Sequence, residues 1–414
     1  MRTNKKKIIN DPVFGFMTLQ SELIFDLIEH PWFQRLRRIK QLGLSNTVFP
    51  GANHTRFEHA LGAAHLMQLA LDSLSLKGIQ ITEKEAESAT IAILLHDIGH
   101  GPFSHTLENS IVEGVTHEDI STVLMKNLDI QFDGKLSEAL RIFRNQYPKK
   151  FLHQMVSSQL DMDRLDYLRR DSFYTGVAEG TIGSDRIIRM LNVCNDELVI
   201  EAKGIYSIEQ FLISRRLMYW QVYLHKTVLA AEFLLINILK RAKYLAINGE
   251  SIFSTPLLSI FLTKKITFDF LISGQVNGNS LFSIFAELDD NDILASIKQW
   301  QYEKDKVLSY LSICLIARKL FSIEVQDKPF DESRIEVIKL AIMEKFGLDE
   351  TEVCYLFINE SIMNSIYGGD EKINILDKDG KVKEFSEASD INLSNLSIPV
   401  RKYIICYPKE LDIN

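Results

Sequence analysis

Cysteine is scarce in this chain of 414 residues: Cys194, Cys314, Cys354 and Cys406 lie far apart, with no CxxC pair. That excludes a disulfide scaffold and gives no thiolate zinc site. Proline is also sparse, at nine residues, and no Pro-rich or low-complexity tract marks a linker. No run approaches the ~18 consecutive apolar residues that span a bilayer, so no membrane partner is expected. Excess positive charge is missing too. Lys and Arg total 47 against 55 Asp and Glu, a net charge of −8 and a pI near 5.8. That balance argues against strong nucleic-acid binding by the protein as a whole, although a local basic patch stays open. The first residues, Met-Arg-Thr-Asn-Lys-Lys-Lys, are basic but lead into no apolar signal segment, so a cytoplasmic location is expected.

What is present is ordinary globular material, 46% hydrophobic and 25% charged, enough for about one to three domains. The first 245 or so residues read as helix after helix. Leu23, Ile24, Leu27 and Ile28 keep a 3.6-residue period, and Pro31 opens a further stretch that Gly43 ends. Thr55-Arg-Phe-Glu58 and Thr82-Glu-Lys-Glu85 are capping-box patterns that place two helix starts. Ser207-Ile-Glu-Gln210 predicts a third, opening a long helix that runs past Leu239. Strand signals come mainly late: Lys372–Leu376 and Lys381–Phe385 flank an Asp379-Gly380 turn, and Tyr403–Tyr407 is another candidate. The fold class expected is mainly α, with a helical core over 1–250 and a smaller α+β region over 251–414 that could serve assembly. Only the Asn248-Gly249 breaker marks that boundary.

Seven of the ten histidines fall between His54 and His117, more clustering than packing requires. His96-Asp97 ends an apolar helix just before Gly99. Neighbours on a helix diverge by about 100°, so both flank one ion only if it lies off the helix end. His59, one turn inside the Thr55 helix, can supply a second imidazole. Asp161, Asp163 and Asp166 offer carboxylates, one of which can close the shell. Two imidazoles and two carboxylates suit one divalent transition ion (Mn, Fe, Co, Ni or Zn) without choosing among them. An isolated His-Asp pair, by contrast, is commonly a helix cap.

The wider strings decide between these. Lys7-Ile-Ile-Asn-Asp-Pro12, Phe33-Gln-Arg-Leu-Arg37, Ile39-Lys-Gln-Leu-Gly43, Val48-Phe-Pro-Gly-Ala52, Arg56-Phe-Glu-His59, His96-Asp-Ile-Gly-His-Gly-Pro-Phe-Ser-His105, Thr116-His-Glu118 and Asp161-Met-Asp-Arg-Leu-Asp-Tyr167 stand in one order. In that order and approximate spacing the chain resembles the HD-domain phosphohydrolases, whose HD motif would fall at about 50–175. It is closest in character to the branch of deoxynucleoside triphosphate triphosphohydrolases that includes the animal sterile-alpha-motif-and-HD-domain enzyme. The resemblance runs over residues 7–180, thinly to about 245, and includes no sterile alpha motif.

That resemblance implies His59, His96, Asp97 and Asp163 as metal ligands, with Asp161 and Asp166 capping or pairing locally. It implies His105 and His117 for acid–base work, since imidazoles titrate near neutral pH and can pass a proton to the departing group. Glu108 stands where the branch carries an Asp that orients a histidine; one methylene longer, it can still accept the imidazole proton. His100, Arg56, Arg164 and Tyr167 match contacts to the nucleotide, and Gln41, Leu42 and Asp171 match the sugar pocket. Arg215, Tyr219, Tyr223 and Lys226, spaced 4, 4 and 3, would line one helix face as a wall for triphosphate and sugar; a solvated cationic face is the plain alternative. Lys7, Ile8, Asn10, Gln34 and Arg37 match a site for an activating nucleotide shared between subunits. Glu29 stands there in place of a guanine-reading Asp. A homo-oligomer, dimer or tetramer, would follow.

The implied reaction is dNTP and water to deoxynucleoside and triphosphate, with Mg on the nucleotide phosphates as a further candidate. Hydrolysis of another nucleotide, a monophosphate or a guanosine alarmone, is the alternative. A nucleotide-responsive regulator with weak catalysis is the reading from another class.

Overall fold

The structure, a computed structural model, describes residues 7–103, 106–107, 111–112, 114–364, 367, 372–390 and 399–411. His105 and Glu108 lie outside the described residues.

A hairpin, β1 (Ile8–Asp11) with β2 (Gly15–Thr18), leads into α1 (Glu22–Glu29), whose Ile24 N–H is capped by the Ser21 hydroxyl at 3.1 Å. The central helix α2 (Arg56–Leu76) starts where Glu58 reaches back to the Thr55 N–H at 2.5 Å. It buries residues around its whole circumference, among them Ala60, Ala63, Leu66, Met67 and Ala70. That is the signature of a helix inside the core rather than on it. Around it pack α3 (Glu83–Leu94), opened by the Thr82–Glu85 box, then α4 (His117–Gln131) and α5 (Met162–Thr175). Asp161 caps the start of α5 through the Arg164 N–H at 2.7 Å, and Gly176 ends it at φ +73°, a left-handed position that suits glycine.

Further along come α6 (Ile205–Met218) and α7 (Lys226–Ile247), then α8 (Asp290–Trp300), α9 (Lys306–Ile316) and α10 (Glu332–Phe346). The remaining strands longer than two residues are β3 (Leu191–Cys194), β4 (Glu197–Glu201), β5 (Ser322–Gln326), β6 (Ile358–Asn364), β7 (Asn374–Leu376), β8 (Val382–Glu384) and β9 (Val400–Tyr407). They form one sheet in the order β8-β7-β4-β3 and a second in the order β5-β9-β6. The mainly α fold with a smaller α+β C-terminal part is as expected. The first sheet pairs β4 with β7 in parallel across the Asn248-Gly249 breaker, and one apolar cluster extends from Met17 to Leu411.

Strands fall mainly late, as expected, with β1–β2 and β3–β4 coming early. Two expectations change. The helix predicted to open at Ser207 opens at Ile205, after a short turn ending at Gly204, and Ser207 sits inside it. That helix does not run past Leu239. It passes through a π-helical turn at Tyr219–Tyr223, breaks at Leu224-His225 and restarts at Lys226, with the two halves bent by 55°. Among the described residues no single helix is long and apolar enough to cross a membrane; this bent pair passes only by length and composition.

Candidate active site

Residues from α2, the end of α3 and the start of α5 converge on one point. His59 is fully buried, and its Nδ1 faces Asp166 Oδ2 at 2.7 Å. His96 turns its Nδ1 to the Ile93 carbonyl at 2.5 Å. A carbonyl can only accept, so His96 carries its proton on Nδ1; the carboxylate imposes the same tautomer on His59. Both Nε2 lone pairs therefore face inward, where each ring lacks an aligned hydrogen bond although both atoms are buried. Asp163 Oδ1 lies 3.1 Å from His59 Nε2 and 3.5 Å from His96 Nε2. Asp97 lies 3.6 Å and 3.2 Å from the same two atoms.

Two imidazole lone pairs and two carboxylates turned on each other repel unless a cation sits among them, so this donor set fits a divalent ion. Where no cation sits among them, the same carboxylates favour a proton on the imidazoles instead. Burial opposes a charge on His59, yet Asp163 and Asp166 overcome it and raise its pKa to about 10. Burial likewise opposes ionisation of Asp97, which His96, Arg56 and His100 hold well below the usual carboxylate range.

Close backbone approach makes this convergence possible. A Cβ at Gly62 would fall 1.9 Å from Asp166 Oδ1 and 2.2 Å from Arg170 Nη2, so only glycine lets α5 bring Asp166 under His59. Asp166 in turn pairs with Arg170 at 2.9 Å, and Arg170 with Asp11 of β1 at 2.8 Å. Gly99 is equally confined: its Cβ would meet His117 O at 2.3 Å. The turn after Asp97 thereby packs on the head of α4 and stacks the His100 and His117 rings at 3.8 Å. Burial first, and then Arg56, lowers the His100 pKa well below its usual value and keeps that ring neutral.

A cavity of about 620 Å³ opens beside the ligand set. Its walls bring together Gln41, Leu42, Arg56, His100, His117, Arg164, Tyr167, Asp171, Tyr219 and Tyr223 with His96, Asp97 and Asp163. Arg56 pairs with Asp97, and Arg164 with Asp161. Asp171 accepts the Tyr223 hydroxyl at 2.8 Å, and its other oxygen meets His54 Nε2 at 2.7 Å. The four-residue stripe is corrected at both ends, by the pairing of Arg215 and by the break after Tyr223. Tyr219 and Tyr223 line the cavity, but Arg215 is buried against Gln159 at 3.0 Å, and Lys226 is an exposed first residue of α7. Neither cation lines the cavity.

The N-terminal candidates lie elsewhere. Arg37 stacks over the Phe57 ring at 3.5 Å and donates to Gln34 Oε1 at 2.8 Å, while Gln34 donates to Ile28 O. Lys7 sits 4.2 Å over Phe25, and Ile8, Asn10 and Glu29 are exposed.

Sequence reasoning missed His54, which holds Asp171, and Glu232 of α7, a cavity carboxyl that burial pushes up to about 7. It also gave Asp166 only local pairing, which the Arg170 pair satisfies, without its contact to His59. Histidine clustering was a usable signal for His54. Nothing local marks Glu232.

The HD domain family matches residues 56–171 and the HD associated region matches 182–253, so the ligand set falls inside the first match. The chain is similar to a phosphohydrolase of Bacteroides thetaiotaomicron, 53% identical with a TM-score of 0.93, over 97% of this chain and 99% of that one. It is 32% identical to the uncharacterized protein YwfO of Bacillus subtilis over 99% of this chain and 94% of the relative. It is also 32% identical to the deoxynucleoside triphosphate triphosphohydrolase SAMHD1 homolog of Dictyostelium discoideum, over 59% of this chain and 51% of that protein. The match thus spans about half of that relative's length. With similarity along the whole chain and the ligand geometry agreeing, the chain belongs to the metal-dependent HD-domain phosphohydrolases.

Proposed function

We propose that the chain is a dNTP triphosphohydrolase, converting a dNTP and water to a deoxynucleoside and inorganic triphosphate. The observation that carries this reading is a single cavity that joins His96, Asp97 and Asp163, with His59 buried behind them, to a wall of Tyr167, Tyr219 and Tyr223 with Arg56 and Arg164. A divalent ion on those four ligands would supply charge neutralisation to the phosphates.

The chain's own groups do the rest. Arg56 and Arg164 attract polyphosphate, and Arg56 also fixes the Asp97 carboxylate. Neutral His100 offers a hydrogen bond without adding a charge. His117, stacked on it, is placed to exchange a proton with the departing 5′-oxygen when water attacks the α-phosphorus, with His105 and Glu108 in the same service by resemblance. The tyrosine wall and the Tyr223–Asp171–His54 chain give a shaped surface for the sugar, where a 2′-hydroxyl is rejected by shape.

Nucleotide-linked assembly is part of the reading: exposed Arg37, Lys7 and Glu29 would hold an activating nucleotide between copies of the chain, as dimer or tetramer. Support comes from the Lys7–Pro12 string and the exposure of these groups. The test is to incubate metal-loaded protein with each dNTP, with and without GTP, and identify products by phosphorus NMR. Triphosphate is expected. Pyrophosphate with a monophosphate, or orthophosphate alone, contradicts the proposal.

A further inference from the structure

The loop that follows His96-Asp97 is fastened from outside the HD-matched segment. Arg35 is 1% exposed and donates from Nη2 to the carbonyls of Ile98 and His100, both at 2.8 Å. Its Nη1 donates to Leu288 O at 3.0 Å and Phe285 O at 3.3 Å. This guanidinium thus joins the catalytic loop to the chain just before α8.

A second bridge lies beside it. Asp290, the first residue of α8 and 4% exposed, accepts the Phe103 N–H on Oδ1 at 2.7 Å and the Lys40 N–H on Oδ2 at 2.9 Å. Phe103 has φ +52°, a left-handed conformation that a side chain with a Cβ disfavours. Its buried ring lines the cavity, and Lys40 directly precedes Gln41 on another part of the wall. One carboxylate therefore ties together two segments of the cavity that have no common element.

Packing alone does not call for a carboxylate at this place. Burial pushes the Asp290 carboxyl up to about 6, despite its two N–H partners and the nearby Lys40. A charge is kept where it is costly, and what it gains is a pair of backbone donors at the edge of the active site.

We propose that Asp290 is a positioning residue of the hydrolase: it holds Phe103 in its strained conformation and so fixes the loop bearing His100 against the wall bearing Gln41. This makes residues 281–290 a working part of the active site. The inference needs only phosphohydrolase chemistry in this cavity; the choice of nucleotide for the assay rests on the function proposed above.

The test compares Asp290→Ala and Asp290→Asn with Asp289→Asn. Asp289 neighbours Asp290 and pairs with half-exposed Arg38, but it touches neither loop backbone. Asparagine keeps its cap on α8. Four quantities are measured: kcat and KM on a dNTP that the wild type hydrolyses, metal per chain, thermal midpoint, and hydrogen exchange at the Lys40 and Phe103 amides. Asp290→Ala should lower kcat about 100-fold, the scale of an ångström-sized misplacement. KM should change by less than about threefold, metal content should hold, and both amides should exchange at least about tenfold faster, as expected of a local opening. Asp290→Asn, which keeps one acceptor, should fall between, and Asp289→Asn should stay close to wild type. Equal rate losses in the Asp289 and Asp290 variants, or unchanged protection of both amides, overturns the proposal. If Asp290→Ala does not fold, Asp290→Asn decides, and wild-type kcat in that variant overturns it. If the wild type hydrolyses no dNTP, the substrate reading fails, while the exchange rates still decide the role of Asp290.

Discussion

The two ends of the cavity are built on different principles. At the metal end, His59 and Asp163 stand on helices and His96 and Asp97 on the turn that follows α3, and both histidines are held from behind: His59 by Asp166, which pairs with Arg170, and His96 by the Ile93 carbonyl. At the tyrosine end the wall rises from a π-helical turn next to a broken helix, and Asp171 is its main anchor. Rigid support suits a centre whose donors must stay within tenths of an ångström. A wall on an irregular turn can change contour with little loss elsewhere. On the function proposed above, the first end carries the chemistry and the second the choice of substrate.

It can be broken most sharply at the ligands. His96→Ala combined with Asp97→Ala should abolish turnover and bring metal content, measured by elemental analysis, close to zero. Full metal occupancy in that double variant refutes the site. Next in size is His117→Gln, which should cost about 10²–10⁴-fold in kcat, the usual range for a lost general acid or base, while metal and nucleotide affinity hold. Asp166→Asn sharpens the support argument. It leaves all four ligands in place but loosens the tautomer of His59, and metal affinity should drop about 10–100-fold by titration.

At the tyrosine end the effects should be smaller and fall on KM. Tyr223→Phe removes one hydrogen bond to Asp171 and should raise KM by about 2–10-fold with kcat nearly unchanged, since such a bond contributes about 0.5–1.5 kcal/mol. Glu232 gives the smallest effect and a pH signature. Burial raises its folded pKa from the ordinary value of 4.5 to about 7. The folded state therefore favours the protonated form, and this contribution to stability is lost as pH rises through about 7. Thermal midpoints of Glu232→Gln should gain on wild type between pH 5 and 8. A constant difference across that range contradicts the burial of this carboxyl.

The metal end was legible in the sequence because its signals are local. Capping boxes at Thr55 and Thr82 are chemistry within four residues, and the His96-Asp97 pair carries its own helix end. The rest depends on distance along the chain. Asp290 reaches Phe103 and Lys40 across 187 and 250 positions, which no window on the sequence joins. The stretch Tyr219–Lys226 holds neither glycine nor proline, so nothing announces the break that takes Lys226 off the tyrosine face. Strands β3 and β4 turn through Asn195 and Asp196, both with positive φ, a turn that an Asn-Asp pair can signal. The pairing of β4 with β7 from near the other end of the chain has no local sign at all.

In the proposed reaction, water activated at the ligand cluster attacks the α-phosphorus of a nucleotide held by the tyrosine wall. A single turnover of dNTP in isotopically labelled water, read by mass spectrometry, tests it most directly. One labelled oxygen is expected in the released triphosphate and none in the deoxynucleoside. Label in the deoxynucleoside, or in a released monophosphate or pyrophosphate, would contradict it.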